Sequence, residues 1–221
     1  MSPACPDWNQ DDPRDLPRIV ANARALRAAV ENDARLRPAP TLAIAETWHR
    51  AIYDHVFVPH ADYVGHVRDS DPQFPCLVDY EVSVGSANGV KASDVPAALD
   101  SFIRATQQIV LALDRAVPAG TIARSRPEVQ AIVRLCAYAH GEWIRIHPFA
   151  NGNGRTARIL ANWIAVRYGL PAFVRIKPRP DDALFAGAAA ASMRGDHGPT
   201  EAMFAEMLID ALEASDRLPS A

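Results

Sequence analysis

The feature that most constrains the fold is a short polar motif between two long apolar segments. The motif, His147–Arg158, has the sequence HPFANGNGRTAR and follows the mostly apolar run 129–146. A second apolar run, 159–170, comes directly after it. Because Pro148 disfavours a helical conformation for the residue before it, the first run should end as a helix near His147. We therefore predict two core helices joined by a loop that opens directly into the second helix.

The composition of the motif is typical of an anion site. Backbone N–H groups at a helix N-terminus, approached through glycines, bind anions. Arg155 and Arg158 lie about one helical turn apart and should project toward the same anion. The imidazole of His147 titrates near neutral pH, so it can accept a proton beside that anion. This arrangement suits the attack of a hydroxyl group on a polyphosphate.

The charge distribution indicates a small anionic ligand. Residues 123–180 contain ten Lys or Arg against two Glu, although the whole chain has a net charge of −3. A basic region in an otherwise acidic protein favours a small anion over nucleic acid as the ligand. We therefore do not expect nucleic acid as a partner. No uncharged apolar run reaches the ~18 residues of a membrane span, so we do not expect a membrane as a partner either.

The motif at His147–Arg158 resembles the signature of the Fic family, HPFx(D/E)GNGRxxR. The resemblance implies an all-α Fic-type domain with a short β-hairpin flap. It also implies an enzyme that transfers a nucleoside monophosphate, most often AMP from ATP, to a Ser, Thr or Tyr hydroxyl of a target protein. ATP is then the substrate, and Mg²⁺ accompanies its triphosphate.

The resemblance assigns roles to individual residues of the motif. His147 corresponds to the general base, and Phe149 corresponds to the residue that anchors the loop in the core. The anion hole around the phosphates would be formed by three consecutive residues, Gly152, Asn153 and Gly154. The phosphate tail would be held by Arg155 and Arg158.

Asn151 departs from the family signature, which has an acidic residue that binds magnesium at this position. An asparagine carbonyl can coordinate Mg²⁺, but it brings no charge to a cation that prefers carboxylate and phosphate oxygens. We therefore expect weak metal binding by Asn151, with the ion held mainly by ATP.

A hairpin is predicted at residues 80–92, where Val82 and Val84 alternate with polar residues. Asn88-Gly89 is a strong signal for a two-residue hairpin turn. By resemblance this hairpin lies where Fic domains have the flap, which binds the target's backbone edge-on. A plain connecting hairpin is the alternative.

Four other histidines and the three cysteines are candidate metal ligands. His49, His55, His60 and His66 are separated by six, five and six residues, which places no adjacent pair on one helix face. They are therefore predicted to lie at the surface or to support a site from behind. The three cysteines, Cys5, Cys76 and Cys136, show no metal-ligand spacing and are predicted to be reduced thiols of a cytosolic protein.

Glu31 is a candidate for a self-inhibitory residue. Many Fic proteins carry an inhibitory helix, (S/T)xxxE(G/N), whose glutamate pairs with the second arginine of the motif. Glu31-Asn32 matches the last two positions, but Arg27 replaces the Ser or Thr. Glu31 is either a degenerate self-inhibitor that reaches Arg158 or an ordinary exposed glutamate. In the second case, control would come from an antitoxin-like partner or be absent.

The domain prediction is a flexible N-terminal arm at residues 1–15 and a single Fic-like domain at 16–221. Helices are expected at six places besides the second core helix: 16–33, 41–56, 93–115, the run ending at 146, 181–193 and 200–214. A cytoplasmic location is expected, with export to another cell left open.

Two functional alternatives accompany adenylyl transfer. The first is a Fic relative with another donor, such as UTP, GTP or a phosphocholine carrier, or with a kinase-like outcome. The intact GNGR and the second arginine favour a nucleoside triphosphate. The second alternative is a nucleotide-binding or partner-binding module with weak catalysis, which the Asn151 departure makes plausible.

Overall fold

The computed structural model describes residues 5–9, 12–84, 87–176 and 183–216. Within these ranges it has seven α-helices and one two-stranded hairpin, which confirms the all-α prediction. The helices are α1 (Leu16–Leu36), α2 (Leu42–Ile52), α3 (Val95–Ala116), α4 (Arg126–Ile146), α5 (Asn153–Arg167), α6 (Ala183–Ser192) and α7 (Gly198–Asp216). The hairpin strands are β1 (Ser83–Val84) and β2 (Ala87–Asn88). No helix in these ranges is both long and apolar enough to cross a membrane.

The core is built on α4 and α5, the two helices that flank the motif. Every residue of α5 except Gly154 is buried, and α4 buries eleven residues. α1 packs against α5, while α3 and α7 pack against α4. Because α5 is buried on nearly all sides, it lies at the centre of the domain, and the loop between α4 and α5 is held by the core at both of its ends.

The ends of these helices follow local sequence signals. Ser125 accepts a hydrogen bond from the backbone N–H of Glu128, whose side chain accepts in return from the N–H of Ser125. At the end of α5, Gly169 has a φ of 80°, and the N–H of Leu170 donates to the carbonyl of Ala165. This is the glycine-terminated ending expected from the sequence.

α2 is shorter than predicted. Its N-cap is Thr41, whose hydroxyl accepts from the N–H of Ile44, as expected. The helix ends at Ile52 and does not continue to residue 56, because His55 has a φ of 55° and so cannot continue a right-handed helix. The predicted start of the sixth helix, Asp181, lies outside the described residues.

The hairpin is present, but its predicted turn is wrong. Ser83 pairs with Asn88, and Val84 pairs with Ala87. Asn88 is therefore a strand residue, and Gly89 follows the strand. Gly89 donates its N–H to the carbonyl of Val82, so a backbone contact and not a turn occupies this position.

The N-terminal segment was predicted as a flexible arm, but its described part, residues 5–9, is bound to the domain. Cys5 forms a disulfide with Cys76, so the prediction of reduced thiols is wrong for this pair. Trp8 stacks with Tyr63 at 6.0 Å between ring centroids. The two cysteines are 71 residues apart, and sequence spacing gives no sign of such a pairing. Cys136 is a buried free thiol.

Candidate active site

His147 lies at the C-terminus of α4 in a left-handed conformation, with φ 54° and ψ 57°. Its Nδ1 is 2.8 Å from the carbonyl oxygen of Ile144. Because a carbonyl only accepts, this hydrogen bond places the ring proton on Nδ1 and leaves a lone pair on Nε2. Burial lowers the pKa of His147, so the ring is neutral near pH 7. The half-buried side chain therefore has the tautomer that a general base requires.

A fully buried arginine, Arg68, fixes the backbone around His147. Its guanidinium donates to four carbonyl oxygens at 2.7–3.1 Å, those of His147, Tyr80, Val90 and Ile146. Its own N–H donates to the carbonyl of Pro148 at 2.8 Å. Burial lowers the pKa of Arg68, but a guanidinium remains charged in proteins. One cation thus joins both ends of the hairpin segment to the end of α4.

The hairpin lies directly against His147. A Cβ atom added to Gly89 would be 3.1 Å from Cβ of His147 and 2.9 Å from Cγ2 of Val82. The absence of a side chain at Gly89 therefore permits the close approach. Val82 is half-buried, while Val84 is 45% exposed and Asn88 is also exposed. The strands thus present an open edge next to the imidazole.

The middle of the motif is held by Phe149 and Asn153. Phe149 is fully buried and stacks on the ring of His49 with centroids 4.0 Å apart. The side-chain amide of Asn153 accepts from the N–H of Phe149 at 2.9 Å and donates to its carbonyl at 2.8 Å. The Asn153 side chain therefore braces the loop, so that only its backbone is available to line an anion hole.

Gly152 begins α5 in a left-handed conformation with a φ of 79°. A Cβ atom at this position would lie 2.7 Å from Oη of Tyr53 and 2.8 Å from Nε2 of His49. Both the conformation and the lack of space require glycine. As Gly152 has no side chain to cap the helix, the start of α5 has the form of a backbone anion site. Gly154 is half-buried in the first turn.

The two arginines of the motif are both buried but have different described neighbours. Arg155 donates to the hydroxyl of Tyr53 and lies over that ring at 5.6 Å. Arg158 donates to the carbonyl of Ile176 at 2.9 and 3.1 Å and lies over the ring of Phe185 at 5.8 Å. Nη1 of Arg158 also lies close to Gly154, 3.3 Å from where a Cβ would be. Two guanidiniums therefore lie near the start of α5.

The comparisons with known proteins agree on a family. The Fic/DOC family model matches residues 41–165, more than half of the chain, including the helices and loop just described. The chain belongs to the Fic/DOC family. A Nematostella vectensis protein named "Protein adenylyltransferase Fic" is 43% identical over 56 residues. That match covers 25% of this chain but only 13% of the relative, so the chain matches a small part of a longer protein.

Solved Fic structures have the same fold. A Fic-domain signalling protein from Bacteroides thetaiotaomicron has a TM-score of 0.64 at 17% identity, covering 95% of this chain and 76% of that one. The effector BepC from Bartonella tribocorum, solved with bound AMPPNP, has a TM-score of 0.58 at 15% identity, covering 90% of both chains. At such identities the likeness establishes the fold alone.

Asn151, the residue predicted as a weak magnesium ligand, contacts the N-terminal segment. Its side-chain Nδ2 donates to the carbonyl of Trp8 at 2.9 Å. Its backbone carbonyl accepts from Nε2 of His49 at 2.9 Å. An acidic side chain could not donate to Trp8, so the departure from the Fic signature coincides with a contact that only an amide makes.

His49 is a supporting residue whose role the sequence did not specify. It is fully buried, and its Nδ1 accepts from the N–H of Gly65 at 2.9 Å while Nε2 donates to Asn151. Burial lowers its pKa to about 3, so the ring stays neutral. A signal was present: His49 lies four residues after Ala45 and next to Trp48, on the apolar face of α2.

Glu31, the possible inhibitory residue, has partners on its own helix. Its carboxylate pairs with Arg27 at 2.7 Å and with Arg35 at 3.6 Å. The described contacts of Arg158 are with Ile176 and Phe185. A role for Glu31 in self-inhibition of this Fic domain therefore stays a prediction.

Proposed function

We propose that this protein transfers AMP from ATP to a Ser, Thr or Tyr hydroxyl of a target protein. The observation that carries the proposal is the tautomer of His147. Nδ1 is engaged by Ile144, so Nε2 is the ring atom left to accept a proton, and the His147 side chain leaves α4 directly beside Gly89 of the hairpin segment. Relatives named as adenylyltransferases and the AMPPNP bound to BepC support the choice of reaction and donor.

In the proposed reaction the target's hydroxyl oxygen attacks the α-phosphorus of ATP. A new phosphorus–oxygen bond forms, the bond between the α-phosphorus and the bridging oxygen breaks, and pyrophosphate leaves. The hydroxyl proton passes to Nε2 of His147. The amides at Gly152–Gly154 and the guanidiniums of Arg155 and Arg158 would stabilise the negative charge on the phosphates.

The hairpin would place the target. Its strand residues Val84 and Asn88 are exposed, so an extended target segment could add to this hairpin, a mode in which main-chain hydrogen bonds give affinity. Gly89 holds this edge against His147, so a hydroxyl on the added strand would arrive at the base. This geometry favours an extended segment of the target over a helix.

The described residues around Asn151 do not make a good magnesium site. Mg²⁺ prefers carboxylates, whereas Asn151 offers a neutral amide whose nitrogen already donates to Trp8. The proposed catalysis therefore rests on His147, the amides and the arginines, with Mg²⁺ brought by the triphosphate. Control by Glu31 or by an antitoxin-like partner, and a cytoplasmic location, are further predictions of this proposal.

The test is incubation of the protein with α-labelled ATP and Mg²⁺, with UTP, GTP and CTP in parallel. We expect label to be retained on protein with the wild type and to fall by at least ~100-fold in His147→Ala, the scale of general-base catalysis. His55→Ala is the matched control, since the exposed His55 is outside the site. It should label as the wild type does.

The outcomes separate the alternatives. Equal labelling by wild type and His147→Ala would refute His147 as the base. Tight ATP binding without transfer would instead identify a nucleotide-binding module. Preferential labelling from another triphosphate would change the donor, while γ-label retained on protein would indicate a kinase-like reaction.

A further inference from the structure

Four potential metal ligands meet where the N-terminal segment packs against residues 60–77, close to Ala150 of the motif. His60, Asp62 and Cys76 have ligand atoms that all lie within 4.8 Å of one another. The sulfur of Cys76 is bonded to that of Cys5, which brings a fourth ligand into the group. Three separate segments contribute: the N-terminal segment, the 3-10 turn at Ala61–Tyr63 and the 3-10 turn at 75–77.

The protein backbone holds these groups in place. Asp62 accepts from the N–H of Cys76 at 3.2 Å through one carboxylate oxygen. The other oxygen lies 3.4 Å from Nδ1 of His60, which also accepts from the N–H of Asp62. Ligand atoms around a tetrahedral zinc ion are separated by about 3.3–3.8 Å, given bonds of about 2.0–2.3 Å. The spacing of His60 and Asp62 thus already suits zinc, which would replace the N–H of Asp62 at the lone pair of Nδ1.

We propose that reduction of the Cys5–Cys76 disulfide creates a zinc site with ligands Cys5, Cys76, His60 and Asp62. A dithiol reductant gives two electrons and two protons to the disulfide and is itself oxidised to a disulfide. The two resulting thiols lose their protons as Zn²⁺ binds two thiolates, one imidazole nitrogen and one carboxylate oxygen. This set of sulfur, nitrogen and oxygen donors is typical of zinc.

Access and surroundings favour both steps. Cys5 is exposed, so a reductant can reach the bond, and reduction breaks the covalent link so that the two sulfurs can separate to the distance that zinc requires. Cys76 is 97% buried in a small apolar cluster with Tyr63, Leu77 and Ala150. Because Ala150 belongs to the motif, the zinc site would keep the N-terminal segment on the motif loop in a reducing compartment.

The test measures zinc in the full chain after reduction with a phosphine and removal of excess metal. We expect about one zinc per chain in the reduced protein, as for a closed structural site, and almost none in the oxidised protein. Cobalt substituted for zinc should show thiolate-to-cobalt charge-transfer absorption. His60→Ala should weaken zinc binding by ~100-fold, since one of four ligands is lost while the half-exposed position tolerates the change.

Matched controls make the result specific. Cys136→Ser removes a buried thiol outside the cluster, and His66→Ala removes a neighbouring histidine; both should retain zinc. Cys5→Ser and Cys76→Ser should lose both the zinc and the charge-transfer band. Little zinc in the reduced wild type, or undiminished zinc in Cys5→Ser and Cys76→Ser, would overturn the proposal. This result does not depend on nucleotide transfer, so it stands or fails separately from the proposed enzyme activity.

Discussion

The two ends of the loop between α4 and α5 are held by different kinds of group. At the His147 end, a buried cation, Arg68, donates to carbonyls of both the helix and the hairpin. At the Asn151–Gly152 end, the support is neutral: the imidazole of His49 and the carbonyl of Trp8. The neutral groups hold their end of the loop by hydrogen bonds alone, whereas Arg68 fixes the backbone around His147 without a hydrogen bond to the imidazole ring.

The largest expected effect comes from removing the charged support. Arg68→Met leaves four carbonyls, one in a buried and three in partly buried contacts, without this donor and should lower the free energy of unfolding by about 4 kcal/mol in urea titration. Arg68→Lys keeps the charge but has fewer donors, so its loss should be intermediate. Arg50→Met is the control, because the side chain of exposed Arg50 donates to a single carbonyl among the described residues, that of Gly65. A loss of less than about 1 kcal/mol for Arg68→Met would contradict this account.

Removing the neutral support should cost less. His49→Phe keeps an aromatic ring against Phe149 but leaves the N–H of Gly65 and the carbonyl of Asn151 unpaired. We expect a loss of about 2 kcal/mol in the same titration. If the proposed function is correct, this variant should raise KM for ATP more than it lowers kcat, because the affected end lies at the anion site. The opposite pattern would show that the two ends are not functionally distinct.

The neutral support should also make stability sensitive to acid. The pKa of His49 is about 3 in the folded protein and about 6.5 when unfolded. Below pH 6.5 the unfolded chain therefore binds a proton at His49 that the folded chain does not bind. The contribution of His49 to stability is thus complete above pH 6.5 and decreases as the pH falls toward 3. The slope from this residue is at most about 1.4 kcal/mol per pH unit. The difference in unfolding free energy between wild type and His49→Phe across this pH range isolates the contribution of His49. Parallel curves for the two proteins would show that His49 does not cause the acid sensitivity.

The smallest effect tests the link between Asn151 and the N-terminal segment. Asn151→Asp loses the donor to Trp8 and should lower stability by about 1 kcal/mol. It also restores a carboxylate, so half-maximal transfer should need less Mg²⁺. Asn32→Asp makes the same chemical change on the exposed face of α1 and should alter neither quantity. An unchanged Mg²⁺ requirement in Asn151→Asp would show that this position does not bind the metal.

Features determined by nearby residues could be predicted from the sequence. The capping box at Ser125, the cap at Thr41 and the ending at Gly169 each depend on residues within a few positions, and all three are present. Pro148 likewise predicted that α4 ends at His147. These signals place the motif between two core helices without any knowledge of the tertiary structure.

Features determined by distant residues could not be predicted in this way. The contact of His49 with Asn151 spans 102 residues, and Arg68 reaches His147 across 79. The disulfide of Cys5 joins segments that no periodic pattern relates. The hairpin turn was misplaced because Asn88-Gly89 has strong turn propensity, but the approach of Gly89 to His147 places that pair after the turn. Tertiary packing overrides local propensity there.

The left-handed backbone of His147 has a consequence for protein engineering. A residue other than glycine pays roughly 1 kcal/mol or more for this conformation, yet glycine would remove the imidazole. Anyone grafting the twelve-residue motif onto a different pair of helices would thus have to transfer an arginine placed like Arg68 as well. The motif and the arginine that binds its backbone carbonyls would have to be transferred together. Without that arginine, we expect His147 to lose its left-handed conformation.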